Sequence, residues 1–204
     1  QSELPVAILN ATRTLIDKHY EYSFLAARLL WDQIKHSVLE DLDEQAEFKT
    51  YIQKGIEYEL LSPELATFDL DKLSKAIDNQ RDNLFQYLGA RTIADRYLLK
   101  TPTHPQKIFE LPQWMWMRVA MGLALQEDKR EERAIEFYNV LSQFLFVSST
   151  PTLFNSGTTH SQMSSCYLNM VEDSLTGIFK SYGDVAQLSK FAGGIGTDWT
   201  NVRA

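Results

Sequence analysis

At 204 residues, the chain is long enough to bury a sizeable core, in one large domain or two small ones. Hydrophobic residues at 44% and charged residues at 23% are ordinary for a soluble globular protein, and a net charge of −7 argues against a broad nucleic-acid surface. A single cysteine excludes an internal disulfide framework and fits a reducing compartment, and no apolar run approaches the roughly 18 residues of a membrane span.

The two ends of the sequence indicate a piece of a longer polypeptide. The chain starts at Gln1 rather than at Met, and it carries no signal peptide. It stops at Arg203-Ala204, directly after a glycine turn and a predicted strand. A domain is not expected to end there.

The first part of the chain predicts helices. Residues 5–17 form a first helix with Pro5 at its start, and residues 21–39 form a clearer one. The apolar stripe of this second helix consists of Phe24, Ala27, Trp31, Ile34 and Val38. An acidic loop, residues 40–47, leads into a third helix that begins near Phe48.

The middle of the chain is more broken. Ser62-Pro63 starts a short helical turn, and residues 71–80 are helical. Residues 84–99 mix β-prone side chains around Gly89 and predict a short two-stranded element. Residues 100–105 are predicted to form a loop, because the two prolines in this segment prevent regular strand pairing.

A strongly apolar helix follows. Pro112 opens it, and residues 113–125 continue it with Met and Trp at helical spacing, a pattern typical of core packing. The charged run 127–133 predicts a turn, and a further helix carries Ala134, Phe137, Tyr138, Leu141 and Leu145. None of the four histidines in the sequence has metal-ligand spacing.

The last part of the chain predicts a strand, a helix and a second strand. Residues 166–170 form a buried strand, Asp173 or Ser174 caps a helix that runs to about Lys190, and residues 195–202 form the second strand. The apolar face of this helix consists of Leu175, Ile178, Phe179, Tyr182, Val185 and Ala186. Such an order implies a right-handed crossover and a parallel strand pair. A helical region, residues 1–147, therefore precedes the opening of an α/β sheet or barrel.

Small and hydroxyl-bearing residues surround the only cysteine, Cys166. Four of the nine glycines, at positions 157, 193, 194 and 196, flank it in a run rich in Ser, Thr and Asn. A lone cysteine is usually a small buried hydrophobe, and Asp173-Ser174 is by default only a helix cap. The glycines at 193–196 resemble a phosphate loop, but they follow a helix and precede a strand, which is the reverse of the usual order. Composition and spacing alone indicate an α-rich soluble domain with one glycine-lined, hydroxyl-rich pocket.

Several motifs in this part of the chain, in this order and spacing, resemble the large, catalytic subunit of ribonucleotide reductase. They are Thr150-Pro151-Thr152-Leu153-Phe154-Asn155-Ser156-Gly157-Thr158, Ser164-Ser165-Cys166, Glu172-Asp173-Ser174-Leu175, Ala192-Gly193-Gly194-Ile195-Gly196 and Arg203-Ala204. Upstream, the resemblance extends to Tyr97-Leu98-Leu99-Lys100, Leu111-Pro112-Gln113 and Met117-Arg118-Val119-Ala120-Met121-Gly122. Tyr22 and Leu25-Ala26-Ala27-Arg28 resemble the closing helix of the ATP-binding cone of this family.

The resemblance implies a mainly α fold in which a helical domain is followed by the first β-α-β unit of a ten-stranded α/β barrel. Residues 1–40 would be the last helices of an ATP-cone-like domain, residues 41–147 the helical domain, and residues 148–204 the start of the catalytic barrel. The radical cysteine and the second redox cysteine of the family are not in this sequence. The chain alone is therefore expected to be inactive.

The resemblance also assigns roles to individual residues. Cys166 matches one member of the cysteine pair that reduces the ribose by closing to a disulfide. The substrate, a ribonucleoside diphosphate, would contact Thr150, Ser165, Cys166 and Gly194. The nucleotide effector, ATP or a deoxynucleoside triphosphate, would contact Asp173, Ser174, Leu175 and Arg203. No metal or cofactor is expected on this chain.

Further partners are implied in the same way. The expected partners are a second large subunit in a homodimer, a separate metal-containing small subunit that supplies the radical, and a thioredoxin- or glutaredoxin-type reductant. Direct DNA binding and membrane association are not expected, and the expected location is the cytoplasm. Two alternatives remain: a non-catalytic helical nucleotide-binding or subunit-interaction module derived from the family, and a phosphate-binding protein that uses Gly193 to Gly196.

Overall fold

The computed structural model describes residues 3–43, 45–191 and 193–203. Ala192 and Ala204, which belong to the motifs quoted above, lie outside the described residues, as does Glu44 of the predicted acidic loop. The described residues form two compact units, and the division falls between Ser161 and Gln162.

The first unit is helical. The α-helices among its described residues are α1 (Glu3–Arg13), α2 (Glu21–Leu42), α3 (Phe48–Glu57), α4 (Leu70–Ala76), α5 (Tyr87–Thr92), α6 (Pro112–Ala124), α7 (Arg130–Ser142) and α8 (Thr150–Asn155). Two 3₁₀ turns, Pro63–Thr67 and Asn79–Leu84, and one π-helical turn, Ile93–Tyr97, connect them. The predicted helical region is confirmed, with domain bounds at 40 and 147 remaining predictions.

Helix α6 forms the centre of the first unit. Every residue from Pro112 to Met121 is buried, and α6 packs against both α7 and α8. Apart from Gln113 and Arg118 the buried stretch is apolar, and a helix that is apolar on most sides has to be surrounded by other elements. Pro112 occupies the first turn, where its missing N–H leaves no hydrogen bond unmade.

The predicted two-stranded element over residues 84–99 is wrong, because this segment is helical. It contains α5 and the π-helical turn that directly follows it. Ala90, Ala94 and Leu98 are buried at intervals of four residues, so this segment buries one helical face. The burial of that face outweighs the β-propensity of the side chains.

Some predicted loop bounds also differ from the structure. Helix α2 continues to Leu42, and α7 begins at Arg130, so the predicted loops 40–47 and 127–133 are shorter than expected. Within the predicted loop 100–105, Lys100 makes an antiparallel bridge to Ile108, which closes the proline-containing segment into a hairpin-like turn. Leu145 lies beyond the end of α7 and is 73% exposed.

The second unit is a β-α-β arrangement. It consists of β1 (Cys166–Met170), α9 (Leu175–Lys190) and β2 (Gly194–Asp198). The two strands pair in parallel, as predicted, with Cys166 opposite Gly194. The side chain of Ser174 accepts a hydrogen bond from the N–H of Gly177 at 3.0 Å, so Ser174 rather than Asp173 caps α9.

The prediction that the strand 166–170 is buried is wrong for its outer face. Helix α9 packs against both strands, and Asn169 donates a hydrogen bond to the buried Ser181 of α9. The opposite face carries Cys166, Leu168 and Met170, and all three are exposed, Leu168 by 94%. A strand pair with a helix on one side only leaves alternate residues uncovered.

Candidate substrate and effector sites

Helix α8 carries the first candidate substrate residue. Thr150 is its first residue, Pro151 lies in its first turn, and the hydroxyl of Thr150 is 3.1 Å from the hydroxyl of Tyr97. Thr150 is exposed, whereas Leu153 in the same helix is buried in the core. The start of the helix is therefore exposed to solvent, whereas Leu153 anchors the helix in the core. The sequence motif indicates a role for Thr150, but the sequence pattern does not predict this helix.

The turn after α8 is pressed against α6. A Cβ atom at Gly122 would lie 2.2 Å from the backbone nitrogen of Gly157, so α6 can approach this closely only with a glycine there. Gly157 itself has φ = +76°, a left-handed conformation that side chains disfavour. Ser156 adds a hydrogen bond from its Oγ to the carbonyl of Val119 at 2.8 Å. The glycines and hydroxyls of this run, read in the sequence as ligand contacts, thus partly serve packing.

A buried arginine anchors the carboxyl end of α8. Arg118, on α6, is completely buried and donates from Nη1 to the carbonyl oxygen of Ser156 at 2.7 Å. Its Nη2 donates to the carbonyl oxygen of Leu153 at 3.4 Å. The last carbonyls of a helix lack hydrogen-bond donors within the helix, and the Arg118 guanidinium provides such donors here.

Glu110 and Tyr51 hold Arg118 in place. The Glu110 carboxylate accepts from Arg118 at 2.6 Å (Nε to Oε1) and 3.1 Å (Nη2 to Oε2), and both side chains are fully buried. The hydroxyl of Tyr51 also donates to Glu110. Burial raises the pKa of Tyr51 well above its ordinary value, and the Glu110 carboxylate raises it further. Burial alone would lower the pKa of Arg118, but the interactions with Glu110 and Tyr51 together outweigh burial and raise it. Tyr51 therefore stays neutral, and Arg118 stays charged.

In the second unit, the structure brings three predicted substrate residues together. Cys166 lies opposite Gly194 in the parallel pair, and the N–H of Gly194 donates to the carbonyl oxygen of Ser165 at 2.6 Å. The Ser165 hydroxyl is 3.9 Å from the Cys166 thiol. Paired residues of neighbouring strands share a face, so the thiol stands beside a position without a side chain.

The Cys166 thiol is free and exposed. Within this chain, Cys166 is therefore not packed as a small buried hydrophobe. An exposed thiol beside Gly194 leaves room for a ligand to approach both the sulfur and the backbone.

The predicted effector residues meet at the carboxyl ends of the two strands. Asp173 and Arg203 form an ion pair at 3.2 Å, and the backbone N–H of Arg203 points to the same carboxylate at 3.5 Å. Ser174 caps α9, and Leu175 is 74% exposed in its first turn. Ligands of open α/β sheets bind at this edge, outside the carboxyl ends of the strands.

The predicted substrate residues lie in different units, and one buried residue next to Thr150's helix was not predicted. Ser165, Cys166 and Gly194 lie together in the second unit, while Thr150 belongs to the first unit. Sequence analysis gave no role to Arg118, although a cation inside the apolar run of α6 is unusual, since charged side chains are rarely buried without a partner. A charged residue within an apolar run could have indicated a buried ion pair. The roles of the predicted site residues remain predictions.

Within residues 3–43, 45–191 and 193–203, no cluster of three or more His, Cys, Asp or Glu side chains could hold a metal ion. No helix among these residues is both long and apolar enough to span a bilayer.

The fold and the site define a class: a helical domain that leads into an α/β unit with a cysteine opposite a glycine. Comparison with protein families agrees. Residues 83–161 match the family described as "Ribonucleotide reductase, all-alpha domain", and residues 164–204 match "Ribonucleotide reductase, barrel domain". Together the two matches include more than half of the chain. The chain belongs to the ribonucleotide reductase large-subunit family.

Individual relatives carry the same description. Ribonucleoside-diphosphate reductase subunit alpha from Chlamydia muridarum is 48% identical over 214 residues, covering 100% of this chain and 20% of that protein. Subunit alpha from Helicobacter pylori strain J99 is 43% identical over 192 residues, with 90% of this chain and 23% of that protein covered. The large subunit from Plasmodium falciparum is 40% identical, with 91% and 23% covered. The chain spans about a fifth of the length of these relatives.

Proposed function

We propose that this chain is part of the catalytic subunit of a ribonucleoside-diphosphate reductase, an oxidoreductase that makes deoxyribonucleotides for DNA synthesis. The observation that carries the proposal is the exposed Cys166 thiol opposite Gly194 in the parallel strand pair. Membership in the family gives this thiol a chemical context.

The chemistry requires a thiol in such a position. Removal of the ribose 2′-hydroxyl, once a radical is present at the 3′ carbon, takes two electrons and two protons. Two cysteine thiols supply both when they are oxidised to one disulfide, and the hydroxyl leaves as water. Cys166 would protonate the leaving hydroxyl and provide one of the two sulfur atoms. The other sulfur and the radical cysteine belong to parts of the enzyme outside this sequence.

The remaining substrate contacts are polar and small. The Thr150 and Ser165 hydroxyls can donate to a diphosphate or a ribose oxygen, and Gly194 lets the sugar approach the backbone. These residues support binding of a ribonucleoside diphosphate. The metal that generates the radical would lie in a separate small subunit, and a thioredoxin- or glutaredoxin-type protein would reduce the disulfide again.

Helix α9 supports the expected homodimer. Leu175, Phe179 and Tyr182 are 74%, 69% and 58% exposed, so this helix shows an apolar side to solvent. An exposed apolar stripe of this kind is suited to burial against a second copy. The effector residues at the start of the same helix would then be directly linked to the subunit contact. We further infer a cytoplasmic location, in keeping with a single free cysteine.

A turnover assay tests the proposed function. The complete polypeptide that contains this sequence is combined with a metal-containing small subunit, a thioredoxin system and a ribonucleoside diphosphate, and deoxynucleotide is quantified by chromatography. Reduction of the substrate supports the proposal. Nucleotide binding without any deoxynucleotide would instead support the alternative, a non-catalytic module derived from the family.

The effector assignment has its own test. Asp173→Ala and Arg203→Ala in the complete subunit should each weaken the binding of a deoxynucleoside triphosphate about tenfold, because each loses one charge-assisted contact. Basal turnover without effector should change little. Equilibrium binding of the triphosphate to each variant is the measurement.

The exposed ion pair Arg133–Glu136 of α7 offers the control, because it has a distance of 2.6 Å but lies outside the proposed sites. Arg133→Ala should leave effector affinity unchanged. Wild-type affinity in both the Asp173 and the Arg203 variants would remove the effector site from this edge of the strands.

A further inference from the structure

Tyr97 touches helix α8 at two points. Its hydroxyl lies 3.1 Å from Oγ1 of Thr150, and its ring stacks on Phe154 with a centroid distance of 4.8 Å and an interplanar angle of 20°. Thr150 and Phe154 are four residues apart and therefore share one face of the helix. Tyr97 thus contacts both the Thr150 side chain and the same face of α8 at Phe154.

The backbone around Tyr97 is itself firmly held. Tyr97 ends the π-helical turn, a rare geometry that is frequent at functional sites. Leu98, the next residue, is buried and donates to the carbonyl oxygen of Ile93 at 3.0 Å. The N–H of Leu99 donates to Oε2 of the buried Glu110 at 3.1 Å. The backbone that follows Tyr97 is therefore anchored to a buried carboxylate.

Glu110 links the two sides of this contact. It receives the Leu99 N–H just after Tyr97, and it forms the ion pair with Arg118, which binds the carbonyls at the far end of α8. One buried carboxylate thus sets both the position of the tyrosine and the position of the helix. The backbones that carry the two hydroxyls are therefore held by one buried network.

A threonine hydroxyl that accepts a hydrogen bond becomes a better-directed donor. When the Tyr97 hydroxyl donates to Thr150 Oγ1, the Thr150 hydrogen is left to point away toward a ligand oxygen. Consecutive hydrogen bonds of this kind polarise one another. An anionic acceptor such as a phosphate gains most from this arrangement.

We propose that Tyr97 is a positioning residue for the substrate: it orients the Thr150 hydroxyl toward the diphosphate of a ribonucleotide. The inference rests on the proposed function, and it adds a residue that does not itself touch the substrate.

The test is Tyr97→Phe in the complete subunit, which removes one oxygen and keeps the ring on Phe154. The expected result is a rise of about two- to tenfold in KM for the ribonucleoside diphosphate, the range that the loss of one net hydrogen bond gives. The value of kcat and the affinity for the triphosphate effector should stay at the wild-type level. A merely structural role would change the melting temperature instead of KM.

Thr150→Val supplies the second half of a double-mutant cycle. Thr150→Val should raise KM, and adding Tyr97→Phe to it should cause no further rise, because the tyrosine acts through the threonine. Tyr58→Phe is the matched control, since Tyr58 also contacts a phenylalanine ring of the first unit, that of Phe109, and lies outside the proposed site. Its KM should equal the wild-type value.

Two outcomes would overturn the inference. One is a wild-type KM in Tyr97→Phe, and the other is an equal rise in KM when Tyr97→Phe is added to Thr150→Val. In both cases wild-type turnover shows that the proposed function stands. Absence of turnover in the wild-type enzyme is a different result, because it removes the proposed function and this inference with it.

Discussion

Cys166→Ser in the complete subunit is expected to abolish deoxynucleotide formation while leaving the fold almost unchanged. Serine replaces the sulfur by an oxygen of similar shape that cannot form a disulfide, so the ribose receives no electrons from this position. Within this chain the thiol is exposed, and the exchange removes no buried contact there. Turnover is measured with the small subunit and the thioredoxin system, and thermal unfolding and substrate affinity are measured on the same preparation.

The opposite pattern would identify a structural cysteine. Serine at a buried, unpartnered position would cost roughly 1–3 kcal/mol of stability and leave turnover by the folded enzyme intact. Substrate affinity separates a third case, in which Cys166→Ser binds no substrate and the thiol serves binding rather than reduction. Full turnover of the Cys166→Ser enzyme would exclude Cys166 from the redox chemistry.

Elements with strong local determinants could be predicted from the sequence. Helix α6 follows from an apolar run after Pro112, and α9 follows from a capping serine before an amphipathic stretch. The parallel pairing of β1 and β2 follows from their order around a helix, because a crossover in one sheet is right-handed and joins parallel strands. In each case a few neighbouring residues carry the information.

Elements whose structure depends on tertiary burial were predicted poorly. Residues 84–99 contain β-prone side chains, but Ala90, Ala94 and Leu98 bury a helical face against the rest of the first unit. Two alanines and a leucine at intervals of four are a weak pattern next to the bulky side chains between them, and burial in the core determines the structure. The exposure of Cys166 could not be derived locally either, because strand periodicity shows which residues share a face but not whether that face is covered.

The candidate site shows the same limit. The motif around Cys166 was recognisable because its residues are close in sequence. Arg118 and Ser156, in contrast, are separated by 38 residues and meet only in the folded chain. The two hydroxyls of Tyr97 and Thr150 are 53 residues apart. Contacts of this range follow from tertiary packing, which no short pattern specifies.

Removal of one partner of the buried ion pair between Arg118 and Glu110 is expected to destabilise the first unit strongly. Arg118→Met should lower the free energy of unfolding by about 3–5 kcal/mol, because it leaves the Glu110 carboxylate charged and unpaired in the interior. It also removes the donors from the carbonyls of Leu153 and Ser156. Glu110→Gln, which keeps the shape of the side chain but not its charge, should have a smaller effect in the same direction. Chemical denaturation of this chain, monitored by tryptophan fluorescence, gives both values.

The double variant distinguishes a coupled pair from two independent contacts. When both charges are removed, neither is left unpaired, so Arg118→Met with Glu110→Gln should cost clearly less than the sum of the single variants. The exposed pair Arg133–Glu136 supplies the matched control: Arg133→Met should cost no more than about 1 kcal/mol, since exposed ion pairs are well solvated. Additive effects at Arg118 and Glu110, or a loss at Arg118 no larger than that at Arg133, would show that the buried pair does not hold helix α8 in place.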